Sequence, residues 1–283
     1  MKRKHIISLF FTYLFLLIIL FFVMFPLVYT VLGSFKTNTE ILTEPWRIIP
    51  KKFSFENYVT AVNSPDFNVP VLLWNSTYYT LINVLMITVI SSMGGYVFAR
   101  GNFPYKKFWF ACFSSLLFIK TGTLGVYATF KVLGVIHLTR SLWALLVVHL
   151  FSIPVVDLYL VKGYVESLPY AVDEAAKIDG CSFFQTFIYI IAPLLKPILA
   201  TIAILQFKGS WNEYLYPTIF TLTEPNQRTL MVGLMTLKNS GEAATSWNLM
   251  LTGSTIALIP VLVAYSIGNK YFVKGISAGA VKG

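Results

Sequence analysis

The sequence predicts an all-α membrane protein with six transmembrane helices. Three observations carry that prediction. Of the 283 residues, 56% are hydrophobic and 12% charged, with a mean hydropathy of +0.69, against about half apolar and a quarter charged in soluble domains. The apolar residues are gathered into runs, and a helix needs roughly 20 of them to cross the hydrocarbon core. The cations stand in short segments between the runs, the distribution that orients a chain in a bilayer. A net charge of +10 would suit nucleic acid in a soluble protein. Here no basic patch carries interleaved aromatics, so the implied contact is membrane lipid and no nucleic acid partner is expected. Cys112 and Cys181 lie far apart without CxxC spacing, which indicates neither a disulfide framework nor a metal site.

The spans are expected at residues 6–32, 72–99, 108–130, 142–161, 198–220 and 251–271. The first follows Lys2-Arg-Lys4 as a signal peptide would. Its apolar run exceeds the roughly 7 to 15 residues of a signal sequence and no A-x-A-like site follows, so it reads as a retained anchor. Lys120-Thr-Gly-Thr-Leu-Gly125 interrupts the third span with a charge and two glycines, which predicts a break or bend. Pro154 and Pro260 are expected to kink the fourth and sixth. Lys2, Arg3, Lys4, Arg100, Lys106, Lys107, Lys162, Lys177, Lys196, Lys270, Lys274 and Lys282 all fall on one side, which should be the cytoplasm. Both termini then face the cytoplasm. On the other side, residues 33–71 mix Lys36, Arg47, Lys51 and Lys52 with Glu40, Glu44, Glu56 and Asp66.

Between spans four and five lies YAVDEAAKIDGCSFFQTF, residues 170–187, too polar for lipid. Pro169 suits a first helical position and Ser167 stands nearby as a possible cap. Asp173 and Glu174 in the early turns favour the positive end of the helix dipole. Asp179-Gly180 supplies a stop, because glycine most easily takes the left-handed conformation after a helix. The expected helix has about three turns and is roughly 15 Å long. By spacing, Val172, Ala175, Ala176 and Asp179 share one narrow face, with Glu174 and Asp179 as acidic shoulders. Interfacial connectors usually carry bulky apolar anchors and lysines; this one carries alanines and acids, and is slim enough for another protein's groove.

The segment resembles the EAA signature of permease subunits in binding-protein-dependent ABC importers, which runs EAA, three residues, Gly, nine residues, then Ile-x-Leu-Pro. Here stand Glu174-Ala175-Ala176, Gly180 and Ile190-Ile191-Ala192-Pro193, with Ala192 where the family has leucine. The resemblance covers nearly the whole chain. FSFENYVTAV, GGYVFARGNFPYKK, LGVIHLTRSLWALLV, GSWNEYLYP and the terminal YFVKGISAGAVKG are similar to segments of the carbohydrate branch, of the type of the second maltose permease subunit.

The resemblance implies a type I ABC importer permease fold with a cytoplasmic coupling helix, in a bacterial plasma (inner) membrane. Asp173, Glu174, Ala175, Ala176, Asp179, Gly180 and Pro193 would couple that helix to a cytosolic ABC ATPase dimer. The further partners implied are a second homologous permease subunit, forming a heterodimer, an extracytoplasmic solute-binding protein and a carbohydrate substrate. The chain would divide into residues 1–71, an N-terminal transmembrane helix with an extracytoplasmic segment; 72–271, a permease core of five transmembrane helices holding the coupling loop 164–197; and 272–283, a cytoplasmic tail.

Span five carries Gln206, Lys208, Trp211, Asn212, Glu213 and Tyr214 in an apolar setting, where ionisable groups face a protein interior or a watery path. Gln206, Gly209 and Glu213 share one face; Lys208, Trp211 and Asn212 share another. They either line a translocation path, with Trp211 and Tyr214 stacking on a sugar ring and Asn212 and Glu213 hydrogen-bonding it, or pack against a partner subunit, or sit near the outer interface, where tryptophan and tyrosine gather. Lys120 and Asp157 are further intramembrane charges, expected to pair with each other or with Glu213. The family commonly has prolines where KTGTLGVYATF stands. His5, His137 and His149 read as isolated.

No GxxxxGK[ST] occurs, so no phosphate cradle for ATP is expected in the chain. It is read as a translocation subunit, not an enzyme, with no cofactor of its own and with ATP and magnesium on the partner ATPase. The alternatives are a permease of the same kind for a non-sugar solute, or a secondary transporter.

Overall fold

The computed structural model describes residues 2–65, 67–119, 122–239 and 246–280, and these are helical with no strand among them. In chain order the helices are α1 Lys2–Gly33, α2 Asn38–Thr43, α3 Glu56–Asn63, α4 Val69–Arg100, α5 Lys106–Ser115, α6 Gly122–Val135, α7 Leu142–Phe151, α8 Val155–Ser167, α9 Ala171–Ile178, α10 Phe183–Thr186, α11 Ala192–Leu194, α12 Lys196–Asn212, α13 Leu215–Phe220, α14 Leu230–Asn239 and α15 Trp247–Ala280. The residues gather into two compact units, Met1–Pro70 with Gly233–Ile259, and Val71–Val232 with Pro260–Gly283. Residues 233–259, which the sequence reading places in the five-helix core, thus group with the N-terminal segment.

Among the described residues, three stretches are long and apolar enough to span a membrane unaided: Leu9–Gly33, Val69–Arg100 and Trp247–Gly268. Two more are bent pairs, α7 with α8 at 44° and Phe183–Leu194 with Lys196–Asn212 at 76°. The first bend falls at Pro154, as expected from a residue with no N–H to donate. Pro260 lies inside α15, which runs on through it to Ala280, past the expected end at 271. The third expected span is two short helices, α5 and α6, parted after Ser115. The fifth stops at Asn212, because Glu213 is extended (φ −69°, ψ 129°), and a separate short helix, α13, follows.

In the first unit, α1 turns its apolar side chains from Leu9 to Val28 outward, as a helix facing lipid does, and its C-terminal end is tied down. A methyl on Gly33 would stand 2.6 Å from Leu251 of α15, so glycine permits that approach. Asn57 on α3 donates to the carbonyls of Ser34 and Lys36 at 2.7 and 2.8 Å and accepts from Asn248 at 2.7 Å. The buried Lys36 donates to the Arg47 carbonyl and sits 5.4 Å from the Tyr29 ring. Outside the spans, Glu44 pairs with Lys51 and with Arg47, and the Lys51 hydrogen bond first of all lowers its pKa.

In the second unit, the 32 residues of α4 extend about 48 Å at 1.5 Å per residue. Their polarity is inverted relative to a soluble helix. Asn75, Ser76, Tyr79, Thr80, Asn83, Ser91 and Ser92 are buried while Trp74, Leu81, Leu85 and Val89 are exposed, which is how a lipid-facing helix keeps hydrogen-bonding groups inside protein. Asn75 donates to the carbonyls of Asn226 and Arg228, at 2.7 and 2.9 Å, and the Ser76 hydroxyl accepts from Leu230 N–H. Gly95 lets α8 approach closely: a methyl there would lie 2.5 Å from Val161 Cγ1 and 3.0 Å from the Lys162 nitrogen. Tyr96, Val161, Val165, Phe187, Ile191 and Ile202 form the core at that end.

Candidate functional site

The polar segment after α8 folds as a short capped helix. α9 has eight residues, about two turns instead of the three expected. Its end follows the sequence closely. Gly180 has φ +80°, its N–H reaches the Lys177 carbonyl at 3.1 Å, and Cys181 N–H reaches back to Ala176 at 2.9 Å. Those two bonds are the Schellman pair, which needs a left-handed residue after the helix. Its start differs: no side chain caps α9, and the Ser167 hydroxyl donates instead to the Tyr164 carbonyl at 2.6 Å. The face also differs. Asp173 and Ala176 are buried, while Glu174, Ala175, Asp179 and Gly180 are exposed, so Ala175 and Ala176 lie on opposite sides. Ile178, an apolar side chain in this polar stretch, is 87% exposed.

Asp173 is turned inward by Arg100, the last residue of α4. Arg100 Nε donates to Asp173 Oδ2 at 2.9 Å, and Nη2 donates to the Leu168 carbonyl at 2.8 Å. The guanidinium lies 4.6 Å from the Tyr170 ring centroid. One turn earlier on α4, the Tyr96 ring meets Phe183 at 4.6 Å and Phe187 at 5.2 Å. Lys106, just past α4, donates to the carbonyls of Ala99 and Gly101; burial, then nearby Lys162, lowers its pKa. After α10 the chain makes a five-residue π turn, Phe187–Ile191. Pro193 and Pro197 then flank the 76° bend into α12, and proline withdraws donors from the helical ladder at such a point. Pro193 is exposed at that elbow and Ala192 half-buried.

Farther along α4 lies a cavity of about 550 Å³, lined by residues of α4, α7, α8 and α12 and by the Ser152–Pro154 turn. Gln206, Gly209 and Glu213 all line it, the shared face that their spacing predicts, and Ser210 joins them. Gln206 Nε2 donates to Asp157 Oδ2 at 2.7 Å and the Tyr79 hydroxyl donates to Glu213 Oε2 at 2.8 Å. Asn83 Nδ2 donates to Ser210 Oγ at 2.6 Å, and its Oδ1 faces His149 Nδ1 at 2.7 Å. The expected pairing of Lys120 with Asp157 or Glu213 falls outside the described residues; among these, Asp157 is held by Gln206.

The other predicted residues of span five part from this group. Lys208, Asn212 and Tyr214 are exposed, and the Asn212 amide donates to the Lys208 carbonyl of its own helix. Trp211 is 2% exposed and stacks on Phe207 at 5.7 Å, so its face is taken and cannot receive a sugar ring. Tyr79, Asn83, Ser210 and Arg100 were missed by sequence reasoning, and His149 is a cavity residue instead of an isolated one. The only signal for Tyr79 and Asn83 is a recurrence of polar residues at three- and four-residue steps along α4. Among the described residues, no group of three or more His, Cys, Asp or Glu side chains could hold a metal.

Comparison with known proteins sets this geometry in context. A family profile described as binding-protein-dependent transport system inner membrane component matches residues 2–278. The galactooligosaccharides transport system permease protein GanQ of Bacillus subtilis is 30% identical, over 100% of this chain and 99% of its own. The probable starch degradation products transport system permease protein AmyC of Thermoanaerobacterium thermosulfurigenes is 31% identical over the whole of both chains. A chain in the crystal structure of a bacterial ABC transporter involved in the import of the acidic polysaccharide alginate superposes with a TM-score of 0.81 at 20% identity, covering 95% of this chain and 98% of that one. At that identity the likeness is one of fold.

Proposed function

Because the chain belongs to the family of inner membrane components of binding-protein-dependent transport systems, we propose that it is one transmembrane subunit of an ATP-driven importer of sugars or oligosaccharides. The cargoes for which two relatives are named, galactooligosaccharides and starch degradation products, support that class of substrate. The subunit pairs with a second, homologous permease, takes its energy from two copies of a cytosolic ATPase that hold ATP and magnesium, and receives sugar from an extracytoplasmic binding protein. Both termini and α9 face the cytoplasm, on the side where the basic residues gather.

The observation that carries the reading is α9 itself. It is short, stopped on a glycine and clamped through Asp173 to the end of α4, yet it presents Glu174, Ala175, Ile178 and Asp179 outward. A helix held rigidly on its inner side and bare on its outer side is a docking element. A groove of the ATPase that moves on nucleotide binding would carry α9 with it, and the clamp would pass that movement to α4. Such a movement shifts the transporter only through contacts that differ between its two states. Asp173 and Ala176 then hold the helix, Glu174, Ala175 and Asp179 touch the ATPase, Gly180 and Pro193 shape the exit, and Gln206 and Glu213 line the path.

The test is Glu174→Lys in the assembled transporter. The expected result is loss of ATPase co-purification and of sugar uptake, while the two permeases still assemble. Survival of both co-purification and uptake would overturn the coupling assignment.

A further inference from the structure

We infer that the cavity bounded by Asn83, His149, Asp157, Gln206 and Glu213 is a site for the hydroxyl groups of uncharged sugars that turns away uronates. This rests on the importer reading and goes beyond it by stating the chemistry of the cargo. Each carboxylate has one oxygen engaged, Asp157 Oδ2 by Gln206 and Glu213 Oε2 by Tyr79. Asn83 gives one amide N–H to Ser210 Oγ and turns its carbonyl oxygen to His149, a pairing in which Nδ1 of the imidazole carries the proton. The groups left over are, as acceptors, the second oxygen of each carboxylate, Gln206 Oε1 and Nε2 of the imidazole, and, as donors, the Ser210 O–H and one N–H each of Gln206 and Asn83.

Two carboxylates, each with one oxygen unengaged, select donors that carry no negative charge. A sugar hydroxyl donates to a carboxylate in a charge-assisted bond, whereas a uronate carboxylate has no proton to give and meets two charges of its own sign. Among the described lining residues no lysine or arginine offsets them. The volume, about 550 Å³, lies within the roughly 300–1,000 Å³ of small-molecule sites. No tryptophan or tyrosine face is offered, since Trp211 is buried against Phe207 and the apolar side chains of the lining are Ile87, Pro154, Val155 and Val156. Hydroxyl bonding without ring stacking makes a site that cargo can leave, as a conduction path requires. The selectivity is thus opposite to what an acidic polysaccharide would need, although the fold matches that of the alginate importer.

The experiment uses the assembly that co-purifies with the tagged full-length chain in nanodiscs, without binding protein or nucleotide. Saturation-transfer-difference NMR is recorded with galactotetraose, arabinotetraose and maltotetraose as neutral probes, tetramannuronate as the acid and tetraglucosamine as the amine. At least one neutral probe should bind, tetramannuronate should not, and Asp157→Asn with Glu213→Gln should weaken the neutral probe about tenfold. Where the double variant does not assemble, each single variant is read instead, with assembled yield as the control.

The inference is overturned if no neutral probe binds, if tetramannuronate binds as well as the best neutral probe, if tetraglucosamine alone binds, or if the variants leave neutral binding unchanged. Failure of the importer reading looks different: neutral sugars bind but no ATP-driven uptake of any sugar is found. ATP-driven uptake that is indifferent to both substitutions removes the cavity inference and leaves the importer.

Discussion

Arg100 and Asp173, 73 positions apart, form a buried ion pair at 2.9 Å with side chains 7% and 6% exposed. The pair joins the end of a 32-residue helix to the first turn of α9. The carbonyl of Leu168 and the ring of Tyr170 take up the rest of the guanidinium. Such a clamp ties the first turn of α9 to the C-terminal end of α4. α4 in turn carries Asn83 into the cavity, about 25 Å from Arg100 along the helix, and sets Tyr79 against the lining residue Glu213.

Removing one member of this pair should be costly. Arg100→Met leaves Asp173 buried and unpaired, and a loss of about 3 kcal/mol is expected, read as a lower midpoint in thermal unfolding of the assembled transporter. Arg100→Met with Asp173→Leu should recover most of that stability. It should not recover the amount of sugar moved per ATP, because the Leu168 carbonyl still lacks its donor. Full recovery of both quantities would reduce the clamp to ordinary packing.

Gly180→Ala tests the exit from α9. A side chain at φ +80° costs about 1–2 kcal/mol in the left-handed region, although the space around Gly180 is open. The expected outcome is weaker ATPase binding with no change in assembly of the two permeases, measured by titrating the ATPase onto purified permeases. Affinity equal to wild type would mean that the Schellman turn does not position α9.

Two glycines separate packing from propensity. Gly95→Ala would drive its methyl into Val161 and the Lys162 backbone, an overpacking worth about 1–3 kcal/mol. Gly163→Ala, with nothing within 4 Å of the added methyl, should be neutral or slightly stabilising through helix propensity. Thermal unfolding of the two variants side by side checks this, and equal midpoints would contradict the close approach of α4 and α8.

What could be seen in the sequence follows the range over which each feature is decided. α1, α4 and α15 were legible because a long apolar run is its own cause, and the Gly180 stop was legible because a Schellman turn is closed within six residues. The face of α9 was misjudged because helical spacing groups Ala175 with Ala176 and Asp179, whereas Arg100 decides which side turns inward. Span five was placed too late for a similar reason. Hydropathy continues through residue 220, but Glu213 leaves the helix and meets Tyr79 from a position 134 residues away. Gln206 and Glu213 were found because depth makes polarity conspicuous. Asn83, Ser210 and His149 were not, because one amide, hydroxyl or imidazole in an apolar run is unremarkable until its partners are known. Trp211 shows the converse, an aromatic residue whose stacking partner, Phe207, is only one turn away and already in place.

The Tyr79–Glu213 bond supplies the last prediction, because it is where α4 grips α12 at the cavity. Tyr79 is fully buried and its hydroxyl is the donor recorded to Glu213. Tyr79→Phe removes that donor without changing the shape of the ring and leaves a carboxylate oxygen unsatisfied, a cost of about 1–3 kcal/mol. Glu213→Gln keeps an acceptor for Tyr79 but withdraws the charge. If the two side chains act as a unit, the double variant should lose less than the sum of the single losses, with an interaction of about 1 kcal/mol or more. Initial sugar uptake and thermal midpoint, measured for all four proteins of the cycle, give that figure twice. Strict additivity in both would mean that the grip on Glu213 is local to each residue, and that movement of α4 reaches the cavity through Asn83 and Ser210 instead.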